Sequence, residues 1–79
     1  MLLKVKCIGL KRGVSKKNGN KPFTNLFFDT TEICESVNSD CAGNVISTLF
    51  VWNKIPDSII GTDILCSVDD YGNVKDCEI

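Results

Sequence analysis

No stretch of this 79-residue chain carries the three-and-four spacing of an amphipathic helix of ordinary length. Apolar and polar residues alternate instead, in short runs punctuated by glycine, asparagine and proline. Residues 2–10 form the first run. Leu3, Val5, Cys7 and Gly9 share one side, Leu2, Lys4, Lys6, Ile8 and Leu10 the other, and a curl is expected at Gly9. Residues 22–30 form the second, opened by Pro22, which fixes φ. Phe23, Asn25, Phe27 and Asp29 share one face, and Thr24, Leu26, Phe28 and Thr30 the other. Residues 44–53 are the strongest strand, rich in β-branched and aromatic residues. Ile46, Thr48, Phe50 and Trp52 face one way, Val45, Ser47, Leu49 and Val51 the other. One of these faces is core, and the other is free to serve as a dimer or binding surface.

Pro56 excludes a regular strand interior from residues 54–58. Residues 59–69 and 74–79 read as the fourth and fifth strands, joined by a tight turn at Asp70-Tyr71-Gly72-Asn73. Residues 31–43 are polar and acidic and read as a loop, in which Ile33 and Val37 could anchor a short helical turn. Five strands in a single domain spanning 1–79 predict an all-β fold, a small closed or partly closed barrel. The OB-like barrel is the common five-stranded solution that binds oligonucleotides, and an SH3-like barrel is the structural alternative. Closure also suits a chain too short to bury a large core.

The stretch between the first two runs carries the chemistry. Lys11, Arg12, Lys16, Lys17 and Lys21 fall within residues 11–21, with no acid among them. Gly13, Asn18, Gly19 and Asn20 supply turn conformations, so the segment reads as a long basic loop or β1–β2 wing leading into Phe23. A cationic loop beside aromatic faces suits a ligand with a phosphate backbone and stackable bases. The plain alternative is a solvated hairpin tip. The net charge of −1 hides a division: residues 1–28 sum to +7 and residues 29–79 to −8. A field split this way can present one cationic face. Alternatively the halves neutralise each other within one fold.

The five cysteines (Cys7, Cys34, Cys41, Cys66 and Cys77) lack Cys-x-x-Cys spacing, and the chain has no histidine. No metal or other cofactor is therefore expected. Reduced structural thiols are favoured, with Cys34 and Cys41 placed to pair if oxidised. Without histidine, paired carboxylates or a phosphate-cradling glycine motif, an enzyme is not expected, nor a small-molecule substrate. The N-terminal residues alternate charge with apolar side chains, unlike a signal peptide, and no apolar run would cross a membrane, so a cytoplasmic protein is expected.

Gly13-Val14-Ser15-Lys16-Lys17-Asn18-Gly19-Asn20-Lys21-Pro22-Phe23-Thr24 resembles the glycine–basic–glycine–Lys–Pro–aromatic stretch of the small single-stranded-DNA-binding proteins of filamentous phages. Tyr71-Gly72-Asn73-Val74 and the Ile55-Pro56 connection followed by Gly61 resemble later parts of that family, so the likeness covers most of the chain. It implies an OB-fold homodimer that binds single-stranded DNA without sequence preference, in phage or mobile-element DNA replication. Carried over, Lys16, Lys17 and Lys21 contact phosphates, and Lys11 and Arg12 line the wing's base. Phe23 stacks on a base, and Tyr71 does so across the dimer. Asp76 and Glu78 depart from the family's basic last strand, and the acidic 31–43 segment is longer. The core alternative applies to Phe23, Phe27 and Trp52, while Phe28 is read as surface or dimer interface. Two further readings remain: RNA binding by the same barrel, and a protein-interaction module using the acidic face.

Overall fold

The computed structural model describes residues 1–36 and 40–79. It is all-β, a nearly closed five-stranded barrel. The strands are β1 (Leu2–Ser15), β2 (Lys21–Asp29), β3 (Ile46–Val51), β4 (Asp63–Val68) and β5 (Val74–Cys77), all paired antiparallel in the order β3-β2-β1-β4-β5. The Val74 amide donates to Ser47 Oγ at 2.9 Å, which brings the two edge strands, β3 and β5, together.

β1 is shared by both halves of the barrel. Its first part pairs with β4 (Leu2 opposite Ser67, Lys6 opposite Asp63). Its second part pairs with β2 from Cys7 to Ser15. A bulge between Cys7 and Gly9 lies at the exchange, near the expected curl. One extra residue reverses the alternation, so Leu3, Val5 and Cys7 point inward before it and Leu10 after it. Leu10 therefore packs on the core, contrary to the unbroken alternation expected for residues 2–10. Gly9 turns outward beneath Phe27.

The core gathers Val5, Cys7, Leu26, Phe28, Ile55, Ile64, Cys66, Val68 and Val74. Phe28 is completely buried beside Leu26, whereas Phe27 is half-buried on the outer face. This reverses the expectation that Phe27 is core and Phe28 surface or interface. The alternation of β2 was right, but the two threonines mark its inner face: Thr24 and Thr30 are buried with their hydroxyls satisfied. Thr24 Oγ donates to the Asn53 carbonyl at 2.7 Å and accepts from the Ile55 amide at 3.1 Å, which ties residues 53–55 to β2. A buried hydroxyl with both functions used carries little desolvation cost.

Several boundaries differ from the sequence reading. Most of the 11–21 stretch is strand, and only a 3-10 turn at Lys16–Asn18 and the left-handed Gly19 and Asn20 form the tip. A short helix, α1 (Thr31–Ser36), occupies part of the expected 31–43 loop, with the Thr31 amide donating to Asp29 Oδ1. Val37 lies outside the described residues. β3 is shorter than the 44–53 expected. β4 begins at Asp63 rather than 59, because Asp57–Ile59 forms a 3-10 turn and Gly61 needs a φ of 85°. β5 ends at Cys77. An irregularity between Ser67 and Val68 brings both Val74 and Cys77 inward, where strict alternation would have separated them.

Cys7, Cys66 and Cys77 are free thiols, the first two fully buried. Cys34 and Cys41 form a disulfide with Cα atoms 6.3 Å apart, so the reduced state expected for all five does not hold for this pair. Among the described residues, no helix is long and apolar enough to cross a membrane.

Candidate functional site

The outer face of β1, β2 and β3 assembles the site. Cross-strand pairing puts Lys11 beside Asn25, Gly13 beside Phe23, and Asn25 beside Phe50. Phe23 stacks on Phe50 with ring centroids 5.3 Å apart and planes 24° from parallel. Trp52 meets both rings edge-on, at 4.7 Å from Phe50 and 6.4 Å from Phe23. Phe50 is 46% and Trp52 45% exposed, high for side chains of this size. Three aromatics are contiguous on one outer sheet face, two of them largely open to water.

The glycine at position 13 makes this arrangement possible. A Cβ there would lie 2.7 Å from Phe23 Cζ, so the tip of the ring sits in the space that any side chain at position 13 would need. At the wing end of the cluster, Lys21 Nζ sits 4.8 Å from the centre of the Trp52 ring. Lys16 and Lys17 lie at the hairpin tip beyond it. Among the described residues, none of Lys11, Lys16, Lys17 and Lys21 forms a salt bridge.

Other parts of the basic half are partly neutralised. Lys6 lies opposite Asp63 and lowers the pKa of Asp29, after the larger effects of the Thr31 hydroxyl and amide. Arg12 Nε donates to the Ile55 carbonyl at 2.7 Å, and its Nη2 pairs with Asp57. The charge division is thus uneven in space. The barrel body mixes signs, and the wing remains cationic.

The structure sorts the seven expected site residues into groups. Lys11, Lys21 and Phe23 share one face, and Lys16 and Lys17 extend it at the tip. Arg12 belongs to the inward series of β1, opposite Thr24, where it fastens the 55–57 connection. Tyr71 is 64% exposed on the β4–β5 turn. That turn adjoins the start of β1, where the Val68 amide donates to the Met1 carbonyl, so it lies at the opposite end of β1 from the wing. The Asp69 carboxylate shapes the turn by accepting from the Tyr71 and Asn73 amides, each at 2.9 Å. These bonds, the Asn73 amide foremost, hold its pKa below the usual value.

Phe50 and Trp52 are the residues that sequence reasoning missed. Their shared face was visible in the alternation of residues 44–53, and so was the need for one face of that strand to be free. What was missing was a marker of which face that is. Ser47, which is buried and bonds Val74, belongs to the inner face.

Elsewhere, Lys4, Lys6, Asp29, Glu32 and Asp63 line a polar cavity of about 300 Å³ in which both signs of charge meet. Among the described residues, no group of three or more His, Cys, Asp or Glu side chains is arranged to hold a metal. No protein-family profile, curated protein or solved structure matches the chain.

Proposed function

We propose that the protein binds single-stranded DNA without sequence preference, on the face formed by β1, β2 and β3, and without catalysis. The observation that carries this reading is the exposed Phe23–Phe50–Trp52 cluster with Lys21 against it and the unpaired-charge wing beside it. Aromatic faces stack on any base, and lysines follow any phosphate backbone, so the pair of features favours single strands over sequence readout. A cation–π contact at an exposed ring contributes about 0.5–1 kcal/mol. A hydrogen bond to a charged group contributes about 1.5–3 kcal/mol. A phosphate can therefore draw Lys21 away from Trp52 and open that ring to a base.

The same face would accept RNA, and the test separates the two. Of the acidic residues that the protein-docking alternative would use, Asp69 is engaged by its own turn, while Asp70, Asp76 and Glu78 stay exposed, and mutating those three separates that reading from this one. A homodimer would be needed for Tyr71 to reach a strand on a neighbouring wing. The setting we infer from the phage resemblance is phage or mobile-element DNA replication in the cytoplasm.

The test is titration of Trp52 fluorescence with an oligo-dT of about 20–30 nucleotides, enough for several sites, across a salt series and against duplex DNA and oligo-U. If Lys11, Lys16, Lys17 and Lys21 all engage phosphates, log K should fall with log salt at a slope of about −3. Charge reversal of Lys16, Lys17 and Lys21 to Glu should abolish binding with an unchanged far-UV spectrum. Retained binding in that variant removes the wing from the mechanism, and absence of binding at low salt by a label-free method removes the reading.

A further inference from the structure

The wing has a second side. Beyond the last β2–β3 pair, Thr24 with Val51, the edge of β2 at Pro22 and Phe23 is uncovered by β3. On the side away from the aromatic cluster, a groove of about 300 Å³ lies at the wing's base, lined by Arg12, Gly13, Val14, Pro22, Phe23 and Lys54. That volume is at the low end for small-molecule sites, which suits a single ring system. Its floor is apolar. Val14 is 55% exposed, and its cross-strand partner Pro22 is also open to water.

The groove's charge identifies its occupant. No carboxylate lines it. The Arg12 guanidinium is occupied by the Ile55 carbonyl and Asp57, which leaves the exposed Lys54 as its available cation. The Lys54 backbone is anchored beside the groove, because Thr24 Oγ bonds both of its neighbours, the Asn53 carbonyl and the Ile55 amide. An apolar slot with a lysine at its mouth complements a flat ring carrying an anion. Phe23 lines this groove and also belongs to the aromatic cluster, so the two surfaces are continuous around the open edge of β2.

We propose that this groove is a second subsite of the interface, taking one unstacked nucleobase while the Lys54 ammonium holds that nucleotide's phosphate. A bound strand then passes from the aromatic face over the edge of β2 and into the base of the wing. This rests on the single-strand reading above.

The experiment compares wild type, Val14→Gln, Lys54→Ala and Phe50→Ala for oligo-dT binding across a salt series. It adds photocrosslinking of wild type to oligo-dT carrying 5-iodo-deoxyuridine. Val14→Gln, which keeps the wing's charge, should weaken binding at least about fivefold, the lower bound for one lost base contact. Lys54→Ala should reduce the steepness of the salt dependence by about 0.7, the value for one phosphate on a single strand. Crosslinks should map to the Val14 and Pro22 peptides as well as to the Phe50–Trp52 peptide. Both altered side chains are exposed, so melting temperatures should match wild type. If Phe50→Ala weakens binding while both groove variants bind as wild type, or crosslinks stay on the Phe50–Trp52 peptide, the subsite is overturned and the aromatic face stands. If wild type itself fails to bind, the single-strand reading falls and the subsite with it.

Discussion

Gly13→Ala adds one methyl group and no charge, and it tests whether ring position matters to binding. The new Cβ would lie 2.7 Å from Phe23 Cζ, 3.1 Å from Cε1 and 3.4 Å from Cε2. Comfortable carbon contacts begin at about 3.5 Å, so the ring tip must withdraw by roughly 1 Å. The tip of a side chain moves more easily than backbone, and the shift takes Phe23 off its stack on Phe50. Loss of that ring pair costs about 0.5–1.5 kcal/mol. Replacing glycine by alanine within a strand returns about 0.5–1 kcal/mol. The two nearly cancel, so the melting temperature should scarcely change. Binding should not be spared. A base that stacks on Phe23 contributes about 1–3 kcal/mol, so affinity for oligo-dT should fall by about 5- to 150-fold. No cation has been removed, so the plot of log K against log salt should shift down in parallel. Fluorescence titration at four or more salt concentrations reads both quantities, with Phe23→Ala as the reference for complete loss. Wild-type affinity in Gly13→Ala beside a weakened Phe23→Ala would refute the role assigned to Gly13. Wild-type affinity in both would remove stacking on Phe23 altogether.

Arg12→Ala should destabilise the fold by about 1–2 kcal/mol, because the Ile55 carbonyl loses a charged donor. The pair with the exposed Asp57 adds little. A melting curve should fall by at least about 4 °C, with the salt dependence of binding unchanged. Asp69 has a lowered pKa in the folded state, so its support of the β4–β5 turn is complete above the unfolded carboxylate value of about 4 and is lost as pH falls further. Hydrogen exchange at the Tyr71 and Asn73 amides should lose protection over that acid range, and Asp69→Asn should flatten the dependence. The Cys66 thiol is pushed up to about 11, first by burial and then by Cys77, Cys7 and Asp76. Because the folded value is raised, this stabilisation is whole below the unfolded thiol's range near 9 and declines as pH rises toward 11. At pH 8, alkylation followed by mass spectrometry should find Cys66 protected in the native protein and modified only on unfolding.

Period-two alternation made the strands legible, and it correctly separated the two faces of β2 and β3. It did not say which face turns inward. Both faces of β2 hold phenylalanine, and the decision rests on Thr24 and Thr30, whose buried hydroxyls find partners in distant segments. Alternation also failed wherever the backbone takes an extra residue. The bulge after Cys7 turned Leu10 inward, and the irregularity beside Val68 did the same for Cys77. The basic wing was visible as composition, but the fate of each cation was not. Arg12 and Lys21 both read as phosphate ligands, yet one fastens a loop and the other lies on a tryptophan. Such differences depend on residues more than 30 positions away, Ile55 and Asp57 for Arg12 and Trp52 for Lys21.

The exchange of partners along β1 has a consequence for the order in which the molecule is made. All of the aromatic face, from Lys11 to Trp52, is encoded before the first residue of β4. The β1–β2–β3 meander pairs strands that follow one another along the chain, whereas residues 2–6 must wait for β4, which lies beyond β3. Until β4 docks, Val5, Cys7, Leu26 and Phe28 would line a half-barrel open to water on the side that β4 covers. The meander can thus assemble its aromatic face before the interior is closed, and, if that face takes a single strand as proposed, a bound strand would hold the meander in register until β4 docks.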